Sequence, residues 1–156
     1  MRVTLAGVEI TSDRTYCFEV SSPVLWGMLS RVDDYRSWWP WVRESRATKL
    51  AAGEVWQFAI QPPLPYALRC AIHIQAVVEP ELIEAEVSGD LEGWARVMMR
   101  AGQMETEVRV VTELVAVSAP VRIASRAFPS LARWGHDWVL DTAARQFAAA
   151  AALESL

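Results

Sequence analysis

The sequence predicts an α+β fold: a curved antiparallel sheet of about seven strands, with two short helices after the first strand, wrapped around one long C-terminal helix. Three features carry that expectation. Apolar residues recur with a period of two through most of the chain between Pro40 and Val117. Helical spacing is confined to the stretch before Pro40 and to a tail from about Pro129 to Leu153. Gly, Pro and Asp stand where the alternation breaks, as chain reversals require.

From Arg14 to Val20 the β-favouring run Thr15-Tyr16-Cys17-Phe18-Glu19-Val20 reads as the first strand, ending at Ser21-Ser22-Pro23. Ser22 as N-cap with Pro23 at the first helical position starts a helix. Val24, Leu25, Met28, Leu29 and Val32 then recur at helical spacing. Asp33 or Asp34 caps a second short helix that carries Tyr35, Trp38 and Trp39 on neighbouring turns, and Pro40 stops it. Strands follow at about 42–50, 54–61, 67–79, 82–88, 93–100 and 105–117. The tail 129–153, rich in Ala, Leu and Arg, is the long helix.

Side-chain alternation then assigns faces. Trp56 and Phe58 point inward, as do Leu68, Cys70, Ile72 and Ile74. Ile83, Ala85 and Val87 share that face, with Glu84, Glu86 and Ser88 outside. Thr106, Val108, Val110, Thr112 and Leu114 are inward against Glu107, Arg109 and Glu113. In the strand between them, Val97 and Met99 are placed inward with Gly93 and Ala95. On the long helix, His136, Leu140, Ala143 and Phe147 form the side expected to face the sheet, opposite Leu131, Trp134 and Trp138.

The 156 residues fit one domain, 1–156, in which residues 1–13 are expected to form a poorly ordered or extended segment. Hydrophobic residues make up 53%, yet no run approaches the roughly 20 apolar residues of a membrane span. The N-terminus lacks the length and composition of a secretion signal, so a cytoplasmic location is expected. A net charge of -4 with scattered arginines argues against nucleic acid as a partner. Cys17 and Cys70 are expected to be buried free thiols, and with His73 and His136 they form no metal-ligand pattern. Nucleophile elbow, phosphate loop and dinucleotide fingerprint are all missing, which disfavours hydrolase, kinase and oxidoreductase chemistry.

Tyr35, Trp38, Trp39 and Trp41 crowd around Pro40. Each buried indole removes about 150–250 Å² from water, so such a loop covers apolar surface. It is either a lid whose rings stack on a planar ligand or a plug between helix and sheet. His136 is the candidate for proton transfer or ligand hydrogen bonding, against the plain reading of a histidine satisfied by backbone or by Asp137. Arg69, Arg96 and Arg109 are expected to pair with the outward glutamates.

The order of elements, together with Phe18-Glu19-Val20-Ser21-Ser22-Pro23-Val24-Leu25-Trp26 and Asp34-Tyr35-Arg36-Ser37-Trp38-Trp39-Pro40, resembles the START-like, helix-grip superfamily. That superfamily includes birch-pollen-allergen-like proteins and the polyketide cyclase/dehydrase group, SRPBCC. Segments 64–69, 89–93 and 134–140 are similar to those of its bacterial cyclase-like members. Gly135 departs from the Asn common there, and Val97 and Thr112 replace bulkier aromatics.

The resemblance implies an internal cavity between sheet and long helix for a hydrophobic small molecule, lipid or polyketide-like, with no cofactor and no metal. It carries over no catalytic residue set. The expected ligand wall is Tyr35, Trp38, Trp39 and Trp41 from the loop, the inward residues Trp56 to Ile74, then Val97, Met99, Val108, Val110 and Thr112, and His136, Leu140 and Phe147. A cofactor-independent cyclase or dehydratase using His136 or Tyr35 is the first alternative. The second is an interaction module without a ligand, in which the Trp-rich loop forms a dimer surface; monomer and homodimer both remain open.

Overall fold

The computed structural model describes residues 9–154. The alternating segments pair into a seven-stranded sheet, all neighbours antiparallel, in the order β1-β7-β6-β5-β4-β3-β2. The strands are β1 Glu9–Phe18, β2 Val42–Arg46, β3 Val55–Ile60, β4 Leu68–Val78, β5 Leu82–Gly89, β6 Leu91–Ala101 and β7 Thr106–Ala116. Helices α1 Ser22–Ser30 and α2 Tyr35–Trp38 connect β1 to β2, separated by a 3-10 turn at Val32–Asp34. After β7 come α3 Ala119–Ala127 and α4 Pro129–Glu154.

Pairing register confirms the assigned faces. Trp56 lies opposite Ile72, Ile72 opposite Val87, Ile74 opposite Ala85 and Ile83 opposite Val97. Val97 lies opposite Val110, Met99 opposite Val108 and Ala95 opposite Thr112. Cross-strand partners share a face, so these residues form one continuous concave surface against α4.

Four expectations are corrected. The first strand spans Glu9–Phe18 rather than Arg14 to Val20, so Glu9–Asp13 of the expected lead segment pair with β7; residues 1–8 of that segment lie outside the described residues. Strand β2 stops at Arg46 rather than Leu50. Helix α1 starts one residue early, with Ser21 extended at the cap (φ -68°, ψ 155°) and Leu25 N–H donating to its carbonyl at 3.0 Å. Helix α3 had no counterpart in the sequence reading.

The outer face carries cross-strand ion pairs. Arg96 meets Glu84 at 2.8 Å as expected, but Arg69 pairs with Glu44 and Arg109 with Asp13, because the neighbouring strands bring those carboxylates opposite. Cys17 is exposed on this face rather than buried, since odd positions of β1 point outward. Cys70 is half-buried, and desolvation pushes its thiol up to about 11.

At Gly93 (φ +151°) a methyl group would sit 1.9 Å from the Glu113 carbonyl oxygen. Glycine there lets β6 and β7 close at the end of the sheet where β6 leaves its turn.

Candidate functional site

The interior divides into a packed end and a hollow end. At the packed end, Tyr35 contacts Trp39 (ring centroids 5.1 Å), Trp38 (5.9 Å) and Trp56 (5.9 Å). Phe147 of α4 meets Phe18 and Trp38 edge-on at 5.4 Å each. Four ring polar atoms at this end are bonded within the protein. Trp39 Nε1 donates to the Ala143 carbonyl at 3.0 Å, Trp41 Nε1 to Gln146 Oε1 at 2.9 Å and Trp56 Nε1 to the Lys49 carbonyl at 2.9 Å. Tyr35 O–H donates to the Leu29 carbonyl.

The hollow, about 160 Å³, lies at the other end. Ile60, Leu68, Leu91 and Leu114 wall it from the sheet, Pro62, Leu64 and Tyr66 from the β3–β4 loop, and Val121 and Ser125 from α3. Helix α4 closes it with Ala132, Gly135, His136, Val139 and Leu140. These positions converge because β1, β4 and β6 start, and β3 and β7 end, at the same edge of the barrel.

Polar groups in this wall are few. His136 Nε2 lies 3.0 Å from Thr112 Oγ1, while its Nδ1 has no hydrogen-bond partner and stands 4.0 Å from the Asp137 carboxylate. Burial depresses the His136 pKa below its ordinary 6.5, against a smaller opposing pull from Asp137. The imidazole is therefore neutral at pH 7, able to exchange one proton but carrying no charge for an anion.

A second polar group sits beside the hollow. Arg14 and Tyr16 lie on the inner face of β1 and reach α4, with Arg14–Asp137 at 3.1 Å, Arg14–Asp141 at 3.4 Å and Tyr16 O–H donating to Asp141 at 2.7 Å. This pins the helix against the sheet edge. Burial and the Asp141 carboxylate hold the Tyr16 phenol well above its usual range, so it remains a donor.

No family model matches the chain, and no curated protein matches it. Solved structures do. The Zhui aromatase/cyclase from Streptomyces sp. R1128 superposes with a TM-score of 0.74 at 9% identity, covering 96% of this chain and 97% of that one. A START superfamily protein from Mycobacterium smegmatis gives 0.70 at 14% identity, over 92% and 97%. The structure named Ara h 8.0201 gives 0.69 at 12% identity, over 92% and 98%. The chain has the START-like helix-grip fold. At these identities the likeness fixes architecture and no activity.

In this helix-grip chain the expected ligand wall separates in space. Thr112, His136 and Leu140 line the hollow. Tyr35, Trp38, Trp39, Trp56, Ile74, Met99, Val108 and Phe147, with the half-buried Phe58, Ile72, Val97 and Val110, belong to clusters at the packed end. Trp41 packs on Trp138 (6.0 Å), and Cys70 sits in the cluster beside the hollow. Of the two acid/base candidates, His136 borders the hollow and Tyr35 is enclosed among rings, its hydroxyl engaged.

Of the lining residues the expected ligand wall held only Thr112, His136 and Leu140; it missed all the others, among them Tyr66, Val121 and Ser125. For the last two the Ser118-Ala119-Pro120 start signal was available, being the same grammar as Ser21-Ser22-Pro23. Among the described residues no group of three His, Cys, Asp or Glu gathers as metal ligands, and no helix is long and apolar enough to cross a membrane.

The depressed His136 pKa sets a pH dependence. Below about pH 6.5 the unfolded chain takes up a proton at this position that the folded chain refuses, so stability falls as pH drops through that window and is complete above it. Melting curves between pH 5 and 8 should show a shallower acid-side decline in His136→Gln than in the parent. Equal slopes would mean that the folded imidazole titrates freely.

Proposed function

We propose that this chain is a single START-like ligand-binding domain that encloses a small apolar molecule in the hollow between sheet, α3 and α4. The supporting observation is the apolar wall of this pocket, interrupted only by Tyr66, Thr112, Ser125 and His136. Its size selects the guest. Pockets for drug-sized ligands span about 300–1,000 Å³, whereas an apolar cavity of about 150 Å³ takes up benzene. The hollow of about 160 Å³ thus matches one ring, and a lipid or polyketide-like guest requires it to widen. Binding needs no cofactor, and the same reading places the protein in the cytoplasm as a monomer or homodimer.

Toluene is a suitable probe. It should bind the parent protein and raise its melting temperature by mass action. Leu140→Trp, which places an indole in the hollow, should abolish that shift while the variant still melts cooperatively. A parent that ignores toluene, or a variant that binds it equally, overturns the reading.

His136 favours a second reading, a cofactor-independent cyclase or dehydratase. A neutral imidazole bordering an apolar pocket can accept a proton from a guest held there. Turnover that survives His136→Gln undiminished would count against it.

A further inference from the structure

Exposed apolar side chains gather at one corner of the molecule. Of the nine large hydrophobic residues exposed among the described residues, four fall between positions 123 and 134: Ile123, Phe128 (63%), Leu131 and Trp134 (47%). They flank the joint between α3 and α4, where every residue from Arg126 to Leu131 is exposed. Leu131 and Trp134, three residues apart, share one face of α4. Scattered exposed apolar residues are ordinary, whereas a concentration of this kind marks a contact surface.

Charge narrows the partner. Residues 114–136 hold Arg122, Arg126 and Arg133 and no carboxylate, in a chain whose net charge is -4. Arg122 donates to the Val117 carbonyl, and among the described residues none of the three arginines makes an ion pair. Glu9 and Asp137 border the groove that Trp134 and Arg133 line, but Asp137 is engaged by Arg14 at 3.1 Å. A second copy of the chain seated here would set these same arginines against one another. A fluid anionic bilayer meets both demands without a shaped seat: aromatic rings settle at headgroup level, and the arginines find negative charge beside them.

We propose that the α3–α4 corner docks on the surface of an anionic phospholipid bilayer, with Phe128 and Trp134 inserted among the headgroups and Arg126 and Arg133 facing the lipid anions. Such docking is peripheral and needs no helix that crosses the membrane. The negative charge of the rest of the chain orients the approach, because only this corner is attracted to the surface. Val121, Ser125, Ala132 and Gly135 line the hollow from the inner sides of the same two helices, so the bilayer lies one helix layer away from it. The docking surface stands whether or not the hollow takes a guest.

The test is sedimentation of the full chain with vesicles of phosphatidylcholine containing phosphatidylserine, against vesicles of phosphatidylcholine alone. The parent should bind the anionic vesicles, and binding should weaken as salt is raised. Arg126→Gln combined with Arg133→Gln should lower the affinity about 25-fold, at about fivefold for each arginine near such a surface. Phe128→Ser should lower it about tenfold or more. Both substituted sites are exposed, so the variants should melt as the parent does. Met104→Ser, at an exposed apolar site in the β6–β7 turn at the opposite end of β7, should bind as the parent does. A parent that ignores anionic vesicles, binds both kinds equally, or keeps its affinity in the arginine and Phe128 variants overturns the proposal, as does an equal loss in Met104→Ser. Light scattering that shows a dimer abolished by Phe128→Ser would assign the corner to a second copy instead and overturn it too.

Discussion

Replacing Phe147 with alanine should cost about 3–5 kcal/mol of folding stability. The ring is 4% exposed and joins three elements, touching Phe18 of β1 and Trp38 of α2 edge-on at 5.4 Å and lying nearly parallel to Trp39 at 6.1 Å. Truncation removes transfer free energy and leaves a void among rings that cannot collapse, since Trp39 is tied to the Ala143 carbonyl. With a total stability of about 5–15 kcal/mol expected of a domain, that loss is a large share. Urea unfolding should show the midpoint falling with little change in slope. Phe128→Ala, at a position 63% exposed, should stay within about 0.5 kcal/mol of the parent. Comparable losses in the two variants would contradict the packed aromatic end.

Gly93→Ala should be nearly as damaging, at about 3 kcal/mol or more. Both its positive φ and the backbone ahead of it forbid a side chain, because the obstacle is a β7 carbonyl at 1.9 Å that cannot move without opening the β6–β7 ladder. Gly53 is the internal control: φ is +91°, but nothing lies within 4 Å of an added methyl, so alanine there should cost only about 1 kcal/mol. Guanidinium titration of the three proteins decides between them. A small effect at position 93 would mean that the two strands part readily.

The middle of the sheet was legible because one face packs against α4 and the other meets water, so β3 to β7 alternate as rows such as Leu68-Arg69-Cys70 and Val108-Arg109-Val110 show. Strand β1 was legible only in its second half. Its inner positions Ser12 and Arg14 are polar, since they answer Thr112 across the strand and the acids of α4 instead of the core. Helix α3 is amphipathic but only nine residues long, turning Val121 and Ser125 fully inward with Ile123 facing out at 65% exposure, so its stripe was too short to stand out despite a good start signal. The position of the hollow was beyond sequence reasoning for a different reason. A void is set by summed side-chain volumes across seven strands and helices and a loop, and the loop aromatics have the same residue types whether they cover a ligand or one another.

The two halves of α4 serve opposite purposes. From Ala143 onward the helix is held by indole and phenyl rings, whereas Ala132 to Leu140 borders open space. Cohesion and selectivity are thus stored at different addresses along one rod. Changes at Leu64, Leu114 or Val121 can reshape the chamber while the aromatic anchor keeps the scaffold intact, which leaves the architecture free to acquire new guests by drift at one end alone.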